Sequence, residues 1–150
     1  MVLSKACDYG IRAILYIAVN TERQFVPINE IAKELNISFH FLTKILQVLT
    51  QKGILASFKG PKGGVRLARP GNDILLYDIV VAIDGDDLFT QCVLGLEGCG
   101  EGKPCPLHDE WGPIRDNLKT VFQQRTIADL AKQITHMNYR LTDLIKSESV

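Results

Sequence analysis

The sequence predicts a mainly α fold that carries one small β-hairpin, and three observations support this. Apolar residues recur at spacings of three and four over long stretches of the chain, which gives a helix one apolar face. One stretch, "ILASF" to "VRLAR", alternates instead and is interrupted by the Gly/Pro-rich "KGPKGG", the pattern of two strands and a turn. Three of the chain's four cysteines stand in "CVLGLEGCGEGKPC", a glycine-rich loop between the helical stretches that is unable to build a hydrophobic core.

Taken in order, Cys7, Ile11, Ile14, Leu15 and Ala18 outline a first amphipathic helix, with Ser4 placed to cap it. Ile31 and Leu35 line a second helix, and Ala32 is small enough for close crossing. After a break at Asn36-Ile37-Ser38, Leu42, Ile45, Leu46 and Leu49 line a third, capped by Ser38 and stopped at Gly53. The second and third helices form a helix-turn-helix. In the hairpin that follows, Ile54, Ala56 and Phe58 alternate along the first strand, as Val65 and Leu67 do along the second. The arrangement is a winged helix-turn-helix. Beyond it, "LYDIVVAIDGDD" predicts a short helix ending near Gly85. Leu107, Trp111, Ile114, Leu118, Val121 and Phe122 then form a seam along a long helix. That seam needs a partner, either Ile127, Leu130 and Ile134 of the helix capped by Thr126 or a second copy of the chain. Residues 1–75 are therefore expected to form a DNA-binding domain, and residues 76–150 a loop carrying the thiols with dimerisation helices.

The chain has 150 residues, 46% of them hydrophobic and 23% charged, the balance of an ordinary globular protein without a membrane span. Lys5, Asp8 and Arg12 interrupt the first apolar stretch, so no secretory leader is read there and the cytoplasm is the expected compartment. Thiols are kept reduced there, which turns the four cysteines away from a disulfide scaffold and toward metal binding, redox sensing or burial. The zero net charge conceals ten basic and five acidic residues in positions 1–75 against seven and twelve in positions 76–150. No acidic residue occurs between Glu34 and Asp73, where Lys44, Lys52, Lys59, Lys62, Arg66 and Arg69 stand. A run of cations is most often a solvated surface, but this one coincides with the third helix and the wing, where phosphates would be neutralised. Ser38, His40, Thr43 and Lys44 are the candidates for the DNA major groove, and Lys59 and Lys62 for phosphates or the minor groove. Phe39 and Phe41 fit either packing or contact with base methyl groups. No Gly-rich phosphate loop, nucleophile elbow or catalytic carboxylate pair is found, and an enzyme or electron carrier would have no use for the basic helix and wing.

Cys92, Cys99, Cys105 and His108 follow one another as C-x6-C-x5-C-x2-H. Three thiols cannot close into pairs, and a loop of glycines lets backbone wrap closely around a bulky group. An iron–sulfur cluster suits this wide spacing. Zinc on three thiolates and an imidazole is the rival, although structural zinc sites usually bring ligands in pairs two to four residues apart. Cys7 lies within the apolar pattern of the first helix, which favours burial.

Together the winged helix, the wing "KGPKGGVRL", the three-cysteine loop and the long helix resemble a family of bacterial regulators that includes the iron–sulfur regulator IscR, the nitric-oxide sensor NsrR and the iron regulator RirA. The resemblance runs from Leu3 to about Ile134. Cluster-free relatives such as the cysteine-metabolism repressor CymR share the wing, so the cysteine loop separates the two groups. The resemblance implies a homodimer with crossed long helices and a [2Fe–2S] or [4Fe–4S] cluster near its interface. It also implies cluster-dependent binding to palindromic promoter DNA, as a repressor that senses redox state, iron or nitric oxide. "CPLH" is similar to the IscR pattern, which makes His108 the fourth ligand. "DYGIRAILYIA" is similar to the NsrR pattern, which gives that place to Asp8 of the other subunit. The six-residue spacing between Cys92 and Cys99 departs by one from the IscR pattern. A cluster-free, zinc-stabilised winged-helix repressor is the alternative.

Overall fold

In a computed structural model, residues 2–100 and 102–142 are described. Helix α1 (Lys5–Ala18) starts where the Ser4 hydroxyl accepts the Cys7 N–H. Helices α2 (Ile28–Leu35) and α3 (Phe39–Gln51) meet at Asn36, which takes the left-handed conformation at φ 54°, and Ser38 caps α3 by accepting from the Phe41 N–H. Gly53 at φ +76° ends the α3 region as the sequence predicts. Strands β1 (Leu55–Phe58) and β2 (Gly64–Leu67) pair antiparallel, Leu55 opposite Leu67 and Phe58 opposite Gly64. Val26 adds a bridge on the other side of β2, exchanging two backbone hydrogen bonds of 2.9 Å with Val65. The wing is therefore tied to the segment entering α2.

A 3₁₀ turn (Gly71–Asp73) leads to α4 (Leu76–Asp84), the very short α5 (Asp87–Thr90), the cysteine loop, α6 (His108–Gln124) and α7 (Ile127–His136). Thr126 and Asp129 close a reciprocal capping box at α7, leaving the Asp129 carboxyl below its usual range through the Thr126 backbone and hydroxyl. The main core joins Ile14, Ile31, Leu42, Leu46, Leu49, Leu55 and Val65 to Ile74, Ile79 and Ile127. Helix α1 is central to it, packing on α3, α4 and α7. Gly10 permits this, because a Cβ there would stand 2.5 Å from Ile83 Cδ1 and 3.2 Å from Ile45 Cγ2. A second cluster holds Cys7, Val80 and Phe89, with Leu118 and Phe122 against them.

The structure refines two expectations. The alternating residues Ile54, Ala56 and Phe58 differ widely in burial. The chain leaves Gly53 so that Ile54 and Leu55 are both buried, while Phe58, at the outer end of β1, is 63% exposed and stacks on Phe25 with centroids 4.8 Å apart. The α6 seam is also split. Leu118 and Phe122 pack inward on the second cluster, Ile114 and Val121 stay exposed, and no residue of the 17-residue helix is buried. Leu130 and Ile134 of α7 pack instead on the main core.

Candidate nucleic-acid interface and thiol site

The N-terminal turns of α3 stand clear of the core because the apolar stripe Leu42, Ile45, Leu46 and Leu49 faces inward. Ser38, His40 and Lys44 are exposed there, and Thr43 is half-buried. The Thr43 hydroxyl donates to the Phe39 carbonyl at 2.8 Å, so its oxygen retains acceptor capacity. Phe41, 38% exposed, packs edge-on against Tyr9 at 5.7 Å, and Phe39, 42% exposed, has the His40 ring beside it at 5.7 Å. Lys59 and Lys62 are exposed on the hairpin turn. A groove of about 870 Å³ runs between α3 and the wing, lined among others by Phe39, Thr43, Gln47, Phe58 and Lys59. Gln47 was not singled out by the sequence, although its place one turn after Thr43 on the same helical face is the signal that finds it. Arg66 adds a cation over the Phe25 ring at 5.3 Å.

The loop after α5 gathers three cysteines. The sulfurs of Cys92, Cys99 and Cys105 all lie within 4.8 Å of one another, and all are free thiols. Cys92 Sγ is 3.4 Å from Cys105 Sγ, and the Cys105 N–H donates to Cys99 Sγ at 3.3 Å. His108 opens α6 with Nδ1 3.5 Å from Cys99 Sγ. The Leu96 N–H, followed by that of Leu94, draws the Cys92 thiol down to about 7, while burial pushes Cys105 up. Gly95 and Gly98, both at φ +71°, turn the backbone around the sulfurs and have open space on their Cβ side. Three unpaired thiols, an imidazole and an open glycine-rich loop are a donor set that fits an iron–sulfur cluster.

Cys7 and Asp8 lie elsewhere. Cys7 is fully buried in the second cluster, and that burial, with Asp84 nearby, pushes its thiol up to about 12. Asp8 accepts from Arg12 Nε at 2.7 Å, an i, i+4 pair on α1, and is not among the residues of the thiol group.

Fold and interface define the class: a winged-helix DNA-binding protein that also carries a three-thiol site. The chain belongs to the Rrf2 family, described as iron-dependent transcriptional regulators, whose profile matches residues 3–133. It is similar to the HTH-type transcriptional regulator IscR of Cronobacter sakazakii, 30% identical over 87% of this chain and 80% of that protein. It is also similar to protein aau3 of Rhizobium meliloti, 37% identical over 94% and 92%. Among solved structures, CymR, the global cysteine regulator of B. subtilis, superposes with a TM-score of 0.75 at 26% identity, covering 87% of this chain and 95% of that one. The T. potens IscR fold is similarly close, with a TM-score of 0.73 at 23% identity over 92% and 91%. The protein is thus a transcriptional regulator and not an enzyme. Among the described residues, no helix is long and apolar enough to cross a membrane.

Proposed function

We propose that this regulator holds an iron–sulfur cluster, [2Fe–2S] or [4Fe–4S], on Cys92, Cys99 and Cys105, and that DNA binding depends on it. The observation that carries the reading is the convergence of three free thiols within 4.8 Å in an open loop. His108, 3.5 Å from Cys99, is the fourth ligand best supported within one chain. Asp8 of a second copy is the competing ligand, supported by the likeness of the α1 sequence to the NsrR pattern. When bound, such a cluster supplies a redox-active centre that reacts with nitric oxide and reports iron supply.

The chain's own residues carry the signal onward. Phe89, three residues before Cys92, is buried with ring centroids 4.9 Å from Tyr77 and 5.4 Å from Phe122. It also packs in one cluster with Cys7 of α1 and Val80 of α4, and both of these helices pack on α3. Ordering the loop thus bears on the element that reads DNA, with a coupling of roughly 1–3 kcal/mol. The protein acts in the cytoplasm as a homodimer on palindromic promoter DNA, as a repressor. Ser38, His40, Thr43 and Lys44 enter the major groove, and Lys59 and Lys62 contact phosphates. Residues 1–75 supply the DNA-binding unit and residues 76–150 the regulatory one.

Iron and acid-labile sulfide analysis of anaerobically purified protein tests the cofactor. The reading expects both, and zinc without sulfide would end it. Spectra of reconstituted Asp8→Ala and His108→Ala proteins assign the remaining ligand, since only the variant lacking it loses the native spectrum.

A further inference from the structure

We infer that Trp111 and Arg115 are positioning residues of the thiol site, a two-point latch from α6 onto the backbone that delivers Cys92. The Trp111 indole N–H donates to the Gln91 carbonyl at 3.1 Å, and Arg115 Nη1 donates to the Thr90 carbonyl at 3.3 Å. The donors are one helical turn apart, and the acceptors are consecutive residues directly before Cys92. Thr90 is the last residue of α5 and Gln91 its C-cap, so both carbonyls belong to a helix end that lacks intrahelical partners. Four residues cannot hold themselves helical in water, and the end of α5 is therefore placed by what touches it. Phe89 anchors it from inside, and the two α6 donors fix it from outside. Arg115 Nε is shielded from solvent without a hydrogen-bond partner, 3.8 Å from the Asp116 carboxylate, while the side chain as a whole is 21% exposed.

This explains how distant sequence positions reach one point. Cys105 and His108 are tied by chain connectivity to the start of α6, and His108 is its first residue. Cys92 lies 13 positions before Cys105 yet stands 3.4 Å from it, sulfur to sulfur. The latch brings the far end of the loop to the same helix end. Outer groups of this kind typically change metal affinity 10- to 100-fold when lost.

The inference rests on the three thiols forming one ligand site, which is part of the reading above. The test uses Co2+ alone, added anaerobically to the reduced full-length chain, because thiolate-to-cobalt charge-transfer bands report coordinated thiolates without needing sulfide. Trp111→Phe keeps an aromatic ring and removes the donor, Arg115→Met removes the other donor, and Arg115→Lys restores a cation. The double variant Trp111→Phe/Arg115→Met is expected to bind Co2+ about 10- to 100-fold more weakly, with diminished bands. Each single variant should fall between, and Arg115→Lys should recover part of the loss. Should the double variant not fold, the singles carry the test, and affinities within twofold of the parent chain in both would overturn the latch. Weakened Co2+ binding in the variants of a protein that isolates with zinc and no sulfide would support the latch and end the cluster reading. Equal Co2+ affinities in a protein that carries sulfide would do the reverse.

Discussion

Gly64 leaves no room for a side chain where the turn of the wing enters β2. At φ +150°, a Cβ there would lie 2.3 Å from the Val26 carbonyl oxygen, which is the acceptor of the Val65 N–H. The obstacle is backbone, so no rotamer change relieves it, and the conformation itself disfavours L side chains. Gly64→Ala should cost roughly 2–3 kcal/mol in urea unfolding, and a loss below about 0.5 kcal/mol would contradict the bridge's role. Lys59 and Lys62 are a different case, because both are exposed and their removal should leave stability unchanged. Each alanine substitution should reduce the slope of log affinity against log salt by about one on any duplex. An unchanged slope would remove that lysine from the phosphate contacts. At this scale the sequence was informative where a residue's task is local. Ser4, Ser38 and Thr126 were legible as caps because a cap is written in its next three residues. The exposure of Phe58 was not legible, because alternation assigns a face but not the distance of that face from the core. Trp111 was read only as a seam residue, since nothing in its spacing shows that its N–H reaches Gln91.

Among the elements, the entry to the helix-turn-helix is held by a polar cluster. Arg23 donates to Glu30 Oε2 at 2.6 Å and the Tyr16 hydroxyl to the same oxygen at 2.9 Å, tying α1 to α2. The Arg23 hydrogen bond, with that of Tyr16, holds the Glu30 carboxyl below its usual range, while burial and Glu30 push Tyr16 up to about 12. A depressed carboxyl stabilises the fold fully above its unfolded value, near 4.3, and that stability is lost as pH falls through the lower folded value. Glu30→Gln should therefore be less stable than the parent chain at neutral pH, by no more than about 1 kcal/mol for so accessible a pair. The gap should begin to narrow as pH falls below about 4.3, and thermal melts across pH 3–7 check it, with a gap independent of pH as the contrary result. Every helix but the four-residue α5, together with the wing and the thiol loop, was legible from periodicity, turn residues and composition. The Val26 bridge was not, because one paired residue has no period. Nor was the division of α6 between two faces, since Leu118 and Val121 fit one seam equally well on paper and only the position of Phe89 separates them.

The whole molecule presents one long helix with an apolar face that the described residues leave open. Ile114 and Val121 on α6 are 58% and 47% exposed, and a second copy is the partner proposed for them. Ile114→Glu/Val121→Glu should convert a dimer to a folded monomer in sedimentation, without loss of helical signal, whereas a persisting dimer would place the interface elsewhere. Such a dimer sets the spacing of two α3 helices, and each thiol loop is joined through Phe89 to the cluster that also contains Cys7 of α1. Occupancy of the thiol site should thus be readable in DNA affinity. The most direct test is titration of one duplex, selected by the protein from a random pool, with cluster-loaded and cluster-free forms of the same preparation at fixed salt under anaerobic conditions. The account predicts that the two affinities differ by about 5- to 150-fold, and that Cys92→Ala protein behaves as the cluster-free form whatever iron and sulfide are added. Equal affinities of the loaded and cluster-free forms would contradict it.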